Sequence, residues 1–200
     1  MVDYNESMLS QSIPQARPQL RSSGFGRLFR DILETIVFVA VVFTLVNLAT
    51  SRFVVDGISM QPNFATGQYV VVSRINYLFG EPELGDIVVF QYPNNPRQDY
   101  IKRVIGVPGD TVEIRDQQVY VNGVRLNEPY INEPCSRTSC PDRTWVLGED
   151  QFFVMGDNRN NSTDSRSFNA VDRHFIIGEA LFRYFPFSDI GIVNKIGFEG

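Results

Sequence analysis

Lys102 is the residue whose predicted surroundings most strongly suggest chemistry. It lies in the apolar run 100–107, and because side chains of a strand alternate between two faces, Lys102 shares a face with Tyr100 and Val104 while Arg103 points the other way. We expect the lysine, not the arginine, to point inward. Burial lowers the pKa of an ammonium from about 10.4 by as much as about 3–5 units, and a neutral amine can act as a general base. A strand-end lysine whose ammonium reaches water is an equal alternative from this segment alone.

A serine that could act as a nucleophile lies earlier in the chain. Ser59 is flanked by Ile58 and Met60 and followed by the turn-forming pair Pro62-Asn63. A lone serine in a turn more often bonds the local backbone. A third block is a polar loop, residues 156–167, entered from the apolar strand predicted over Gln151–Met155.

Taken together and in order, these blocks resemble those of bacterial type I signal peptidases. The resemblance covers most of the chain from Phe53 to Phe185, and the first 24 residues carry none of it. After an apolar anchor, the matching boxes are Ser-Met at 59–60, Gly-Asp-x-Val-Val-Phe at 85–90, Lys-Arg-Val-x-Gly-x-Pro-Gly-Asp at 102–110 and Gly-Asp-Asn-Arg-x-x-Ser-x-Asp-Ser-Arg at 156–166. The resemblance implies a membrane-anchored serine endopeptidase that removes N-terminal signal peptides from exported preproteins, without a cofactor.

The same resemblance implies a role for each matching residue. Ser59 would be the nucleophile and Lys102 the general base of a Ser-Lys dyad, and the Ser162 hydroxyl would hydrogen-bond and orient the lysine amine. Asp164 and Arg166 correspond to a structural ion pair that holds the loop presenting Ser162. The substrate would bind as an extended strand, which suits addition to a sheet edge.

Gly57 stands where some relatives carry a serine whose hydroxyl contributes to the oxyanion hole, and where others carry glycine. The oxyanion would then depend on the Ser59 backbone N–H and on whatever backbone donor Gly57 leaves accessible.

A Ser-His-Asp triad is the competing catalytic arrangement, and it would have to use His174, the single histidine. His174 lies outside every block that carries the resemblance, so we expect a structural or surface role for it.

Composition and charge narrow the class of protein. At 200 residues, 43% hydrophobic and 20% charged, the chain is typical of one globular domain with appendages, and a net charge of −5 argues against nucleic-acid binding. Residues 35–51 contain no ionisable side chain and follow four arginines, at 17, 21, 27 and 30. We predict a disordered cytoplasmic tail over 1–30, a transmembrane anchor helix over 31–51 and an extracytoplasmic β-rich catalytic domain over 52–200.

The arginine bias predicts a cytoplasmic N-terminus in the plasma (inner) membrane or a thylakoid-type membrane. A buried core helix is disfavoured because the rest of the chain is predicted to form strands. A cleavable signal peptide stays an alternative, with 48–51 as a poor cleavage site.

Cys135 and Cys140 enclose a short loop. In an oxidising extracytoplasmic compartment they favour a disulfide, with two free thiols as the alternative. Zinc would need about four ligands, which two cysteines and one histidine do not readily supply, so no metal is expected.

The fold class expected for the catalytic part is mostly β. Short β-branched runs at 69–73, 86–91, 100–107, 111–114 and 119–121 alternate with turn signals, including hairpin turns at 116–118 and 122–123. A catalytically silent, membrane-tethered β-domain that binds exported chains is the functional alternative, and a self-cleaving regulator of the repressor type is a third, disfavoured by the anchor.

Overall fold

The computed structural model describes residues 24–193 and 195, so the predicted tail lies outside the described residues up to position 23. Helix α1 runs from Gly24 to Ala49. It begins before the predicted anchor boundary at Asp31, because Phe25, Leu28 and Phe29 extend the apolar helical sequence N-terminally. Residues 25–49 are long and apolar enough to cross a membrane, and none of that span is buried.

The rest of the described chain is a β structure, as predicted from the sequence. Its strands, all in antiparallel pairings, form an eight-stranded sheet in the order β1-β2-β11-β3-β4-β9-β10 with β12 on β11, and a four-stranded sheet in the order β7-β6-β5-β8. The strands are β1 Thr50–Val54, β2 Tyr69–Ser73, β3 Ile87–Gln91, β4 Asp99–Gly106, β5 Thr111–Arg115, β6 Gln118–Val121, β7 Val124–Arg125, β8 Arg143–Val146, β9 Gln151–Met155, β10 Val171–Asp172, β11 Ile176–Phe185 and β12 Gly191–Ile192. Short helices α2 Asn76–Phe79 and α3 Ser165–Phe168 and 3₁₀ turns at Arg173–Phe175 and Phe187–Asp189 complete the chain.

Two tight turns connect the strands of the smaller sheet where the sequence predicts them. Asp116 and Gln117 have φ of 51° and 65°, and Asn122 and Gly123 have φ of 51° and 81°. Positive φ at both central residues matches the twist of the flanking strands in a two-residue hairpin. These turns join β5 to β6 and β6 to β7.

The larger sheet is covered on both faces around β3 and β4. Val89 and its neighbours on one face belong to an apolar cluster with Met60 and Val72, whereas Val88 and Val104 belong to a second cluster on the other face. The expectation that only the lysine of the Lys102-Arg103 pair points inward is therefore wrong. Both side chains are buried, on opposite faces, because neither face of β4 is exposed to solvent here.

Gly178 marks a close approach between β11 and β2. It follows a register shift in the pairing of β11 with β3, and a Cβ at this position would overlap the backbone oxygen of Ser73. Backbone atoms cannot move away as a flexible side chain can, so any side chain at 178 forces the two strands apart.

We expect Gly178→Ala to lower the free energy of unfolding by about 1–3 kcal/mol. Urea denaturation followed by tryptophan fluorescence measures this change. Gly191→Ala is the matched control, because a Cβ there meets no atom within 4 Å. Equal stability of the two variants would contradict the close approach.

Candidate active site

Ser59 lies in the loop that follows β1, and the polar loop after β9 holds it in place. The Asn158 backbone N–H donates to the Ser59 carbonyl oxygen at 3.0 Å, and its Nδ2 donates to the Ile58 carbonyl oxygen at 3.1 Å. Met60 and Phe64 are 1% and 2% exposed and anchor the following turn in the core. The serine hydroxyl is thus presented by a loop fixed from both sides.

Lys102 meets Ser59 from strand β4. Its Nζ donates to Ser59 Oγ at 2.7 Å and to its neighbour's carbonyl oxygen, that of Ile101, at 2.9 Å. The side chain is 4% exposed. Burial lowers the pKa of the amine to about 8, against the opposing charges of Asp164 and Asp157. About a tenth of the amine is therefore neutral at pH 7, far more than for an exposed lysine, and this form can accept the serine proton.

Arg103 and Asp157 form a buried ion pair on the other face of β4, and the sequence patterns did not predict it. Arg103 donates from Nε and Nη2 to the two carboxylate oxygens of Asp157 at 2.9 and 2.8 Å, and from Nη1 to the Gly85 carbonyl at 3.0 Å. Asn63 adds a hydrogen bond of 2.8 Å to Asp157. Both residues lie in blocks that carry the family resemblance: Arg103 follows Lys102, and Asp157 belongs to the block Gly-Asp-Asn-Arg at 156–159. These positions were the sequence signal from which the pair could have been predicted.

Asp164 and Arg166 form a bidentate ion pair, with Nε–Oδ1 of 2.8 Å and Nη2–Oδ2 of 2.7 Å. Burial opposes ionisation of Asp164, but Arg166 and the Gly156 N–H, 3.0 Å from Oδ2, hold the pKa of the carboxyl below its usual value. Asp164 also accepts from the Arg166 N–H at the start of α3.

The same arginine attaches the cysteine loop to this region. Arg166 Nη1 donates to the carbonyl oxygens of Ser139 and Arg159 at 2.9 and 2.8 Å and lies 3.2 Å from Cys140 Sγ. In the structure Cys135 and Cys140 are joined by a disulfide. A buried pair between Arg159 and Glu128, at 2.6 Å, ties the polar loop to the segment before these cysteines.

Ser162 lies in the site but is not bonded to Lys102. A Cβ at Gly156 would overlap Ser162 Oγ and would lie 2.5 Å from the Ser59 carbonyl oxygen, so both oxygens pack against this glycine. Among the described residues, the buried Ser162 Oγ makes no hydrogen bond of ordinary geometry, although its hydroxyl is close enough to the Asp164 carboxyl to help lower the pKa of that group. The predicted hydrogen bond between Ser162 and the lysine amine is thus not present in this arrangement.

Gly57 offers less to an oxyanion than the sequence suggests. Its N–H donates to Thr66 Oγ1 at 3.1 Å, and the same hydroxyl donates back to the Gly57 carbonyl at 2.9 Å. Its φ is +98°, a conformation that favours glycine over serine. The Ser59 N–H, by contrast, has no acceptor among residues 24–193 and 195.

The structure does not bring His174 to Ser59. The imidazole lies on the exposed 3₁₀ turn before β11, where its ring centroid is 4.0 Å from that of Phe175. It does not line the cavity that contains Ser59 and Lys102. Within the described part of the chain, no group of three or more His, Cys, Asp or Glu side chains is placed to hold a metal.

A groove of about 540 Å³ opens at the dyad. One wall is formed by residues 53–59, which comprise the end of β1 and the loop that follows it. The other wall is formed by residues 98–102 at the start of β4. Asn161 and Thr163 lie at the groove as well. Strand β4 pairs with β3 along residues 99–103 but with β9 only from Arg103 onward, so the edge facing the groove has no strand partner among the described strands.

Comparison with known proteins identifies the family of this chain. Residues 28–185 match the family model described as signal peptidase, peptidase S26. The chain is 35% identical over 179 residues to signal peptidase IB of Staphylococcus aureus, covering 80% of this chain and 93% of the relative. It is 38% identical over 163 residues to signal peptidase I of Bacillus caldolyticus, covering 76% and 88%.

The chain belongs to the signal peptidase family. The family consists of serine endopeptidases, so the protein is a hydrolase of this class. A solved signal peptidase I from Enterococcus faecalis is 37% identical and is covered over 96% of its own chain and 50% of this one, with a TM-score of 0.45.

The depressed pKa of Lys102 makes a prediction about stability in this signal peptidase. The amine has a pKa of about 8 when folded and about 10.4 when unfolded. Between these values the unfolded state binds more protons, so the free energy of unfolding rises with pH. We expect the stability of the wild type relative to Lys102→Met to increase by about 2–3 kcal/mol between pH 8 and pH 10.4. Urea denaturation across this range in an uncharged detergent measures it.

Lys195→Met is the matched control, since Lys102 and Lys195 are the two lysines of the chain. Partial burial opposes charging of Lys195, but hydrogen bonds and charge from Asp86 and Glu179 raise its pKa. Its removal should therefore not produce the increase. A difference between wild type and Lys102→Met that stays flat from pH 8 to 10.4 would contradict a buried, depressed lysine.

Proposed function

We propose that the protein is a membrane-anchored serine endopeptidase that removes signal peptides from exported preproteins, with Ser59 as nucleophile and Lys102 as general base. The observation that carries the proposal is the 2.7 Å hydrogen bond between Lys102 Nζ and Ser59 Oγ, on a lysine that burial makes less basic. A silent binding domain would have no need of a lysine whose charge is disfavoured and whose amine meets a serine hydroxyl.

The chemistry follows from these two side chains. Neutral Lys102 takes the proton of Ser59 as Oγ attacks the scissile carbonyl carbon, and the resulting ammonium gives the proton to the leaving amine. Water then attacks the acyl-enzyme, giving its proton to Lys102, and Ser59 Oγ leaves with the proton returned to it. The Ser59 N–H is the donor available to the oxyanion.

Ser162 is proposed to help position the loop that carries Ser59. The resemblance suggests a bond to the lysine instead, so this proposal depends on where the Ser162 hydroxyl packs. Its Oγ packs on Gly156 beside the Ser59 carbonyl oxygen, and its neighbour Asp164 receives the Gly156 N–H. A hydroxyl at this place supports the nucleophile loop and lies within the same buried region as the lysine.

The substrate is proposed to bind as an extended strand in the groove. The unpaired edge of β4 at residues 99–102 presents backbone N–H and C=O groups to it, and β-addition supplies hydrogen bonds that do not depend on the substrate sequence. Alternating side chains of such a strand would face the apolar floor formed by Val55, Val70 and Val89.

Replacement of either dyad residue tests the catalytic proposal. We expect Ser59→Ala and Lys102→Met each to lower kcat/KM on a preprotein by at least about 10³-fold, and the double variant to be hardly worse, because the two groups act as one unit. Purified full-length protein in detergent, assayed by gel shift of the processed preprotein, measures this. Ser167→Ala is the serine control, since Ser167 is exposed and outside the groove. Full activity in either single variant would eliminate the dyad.

The orientation in the membrane is a separate proposal. Arg27 and Arg30 lie near the N-terminal end of α1, and Arg17 and Arg21 come before it in the sequence, so the N-terminus is proposed to be cytoplasmic and the β domain extracytoplasmic. The membrane is proposed to be the plasma membrane or one of thylakoid type.

Protease added outside spheroplasts tests this orientation. We expect cleavage within the exposed cysteine-loop region, residues 127–142, and protection of an epitope tag at the N-terminus until detergent is added. Immunoblots with a tag at each end distinguish the fragments. Digestion of the N-terminal tag with an intact cysteine loop would invert the topology.

A further inference from the structure

Asn158 holds both peptide groups that flank the nucleophile. Its backbone N–H donates to the Ser59 carbonyl oxygen at 3.0 Å, and its side-chain Nδ2 donates to the Ile58 carbonyl oxygen at 3.1 Å. Asn161 Nδ2 donates to Asn158 Oδ1 at 3.2 Å, and this contact fits an amide whose nitrogen, not its oxygen, faces Ile58. The Asn158 side chain is therefore a hydrogen-bond donor to the nucleophile loop.

The bond to Ile58 acts on the peptide group that carries the Ser59 N–H. The Ile58–Ser59 peptide is trans, so its C=O and its N–H point in opposite directions within one plane. The Gln61 N–H donates to the same carbonyl oxygen at 3.1 Å. Two donors on this oxygen restrict the rotation of the peptide plane, and they thereby set the direction of the Ser59 N–H.

Asn158 acts from the side of the loop that faces away from the groove. It lines a separate cleft of about 380 Å³ together with Gln61 and Pro62, and it is not among the residues that line the groove at the dyad. Ile58 and Ser59 do line that groove. A carbonyl oxygen held toward Asn158 therefore turns the N–H of the same peptide toward the groove, where the scissile carbonyl of a substrate would lie.

The direction of this N–H matters because the neighbouring backbone donor is occupied. The Gly57 N–H donates to Thr66 Oγ1 at 3.1 Å, whereas the Ser59 N–H has no acceptor within the part of the chain that the structure describes. A donor stabilises an oxyanion best when it is already held at the place where the negative charge develops. Rotation of the Ile58–Ser59 peptide would weaken that stabilisation.

We propose that Asn158 is a positioning residue for the oxyanion, which acts through the Ile58–Ser59 peptide and not on the substrate. The inference rests on the proposed endopeptidase function and adds a residue beyond the dyad to it. The Gln61 bond remains when the side chain is removed, so the loss is smaller than the roughly 10²–10³-fold loss in kcat for an oxyanion donor itself. We expect Asn158→Ala to lower kcat on a preprotein by about 3–10-fold and to leave KM unchanged.

A pair of peptide inhibitors measures the oxyanion interaction directly. A peptide aldehyde ending in Ala-x-Ala, the pattern of signal-peptide cleavage sites, forms a reversible bond between its carbonyl carbon and Ser59 Oγ. The π electron pair of the carbonyl moves to its oxygen, and the serine proton moves to Lys102. The corresponding peptide alcohol binds without this bond. The ratio of the two inhibition constants, alcohol over aldehyde, therefore reports the oxyanion, because the contacts of the rest of the peptide cancel.

Full-length variants in an uncharged detergent test the role of Asn158. We expect Asn158→Ala to lower the inhibitor ratio by about 3–10-fold. Asn158→Asp keeps the size of the side chain but has no N–H to donate, so it should lower the ratio at least as far. Asn160→Ala is the matched control in the same loop, because Asn160 bonds to Glu133 and Pro134 and does not line the groove. A wild-type ratio in Asn158→Ala or in Asn158→Asp would overturn the inference.

The pH profile separates a misdirected oxyanion donor from a disturbed dyad. The Asn158 side chain makes no bond to Lys102, whose amine bonds to Ser59 and Ile101. The apparent pKa in the rising limb of kcat/KM should therefore be the same in the wild type and in Asn158→Ala. A shifted pKa would place the defect at the dyad and would overturn the assignment to the oxyanion.

Failure of this inference can be told apart from failure of the function beneath it. A wild type that processes preproteins and binds the aldehyde more tightly than the alcohol, with a ratio unchanged by Asn158→Ala, overturns the positioning role alone. A wild type that processes no preprotein overturns the endopeptidase proposal and the positioning role with it.

Discussion

Desolvation of one amine is the constraint on which the rest of the site depends. Lys102 is 4% exposed, and burial alone is the largest influence on its pKa. That burial requires the face of β4 that carries Lys102 to be covered, and the pairing of Lys102 with Val88 places this face beside the apolar cluster of Val88 and Val104. A lysine at a solvated sheet edge would keep its proton near neutral pH and could not accept one from Ser59.

The loop from 156 to 166 connects the elements that build the site. Asn158 holds the Ser59 loop, Asp157 reaches Arg103 on β4, Arg159 pairs with Glu128, and Arg166 fixes the disulfide-bonded segment. Each contact joins parts of the chain far apart in sequence. Although it contains no long helix or strand, the loop can therefore set the distance between Ser59 and Lys102, which come from different elements.

Much of the fold could be predicted from local sequence patterns, whereas some features of the site could not, for physical reasons. Strand positions and hairpin turns follow from β-branched runs and from pairs such as Asn122-Gly123, whose conformational preferences are local. The burial of Arg103 could not be predicted from local patterns, because it depends on the covering of both faces of β4 by other parts of the chain. The bond between Gly57 and Thr66, which occupies a donor expected for the oxyanion, depends on a turn nine residues away closing back on itself.

The buried ion pairs have an electrostatic consequence beyond holding the loops together. Asp157 and Asp164 are the carboxylates whose charges raise the pKa of Lys102, while Arg166 lowers it. Unpaired, two such acids would stabilise the ammonium and work against its use as a base. Each is instead bonded through two oxygens to an arginine, Arg103 or Arg166. Buried pairs of this kind contribute little net stability, so their value here lies in setting geometry while leaving the lysine pKa to desolvation.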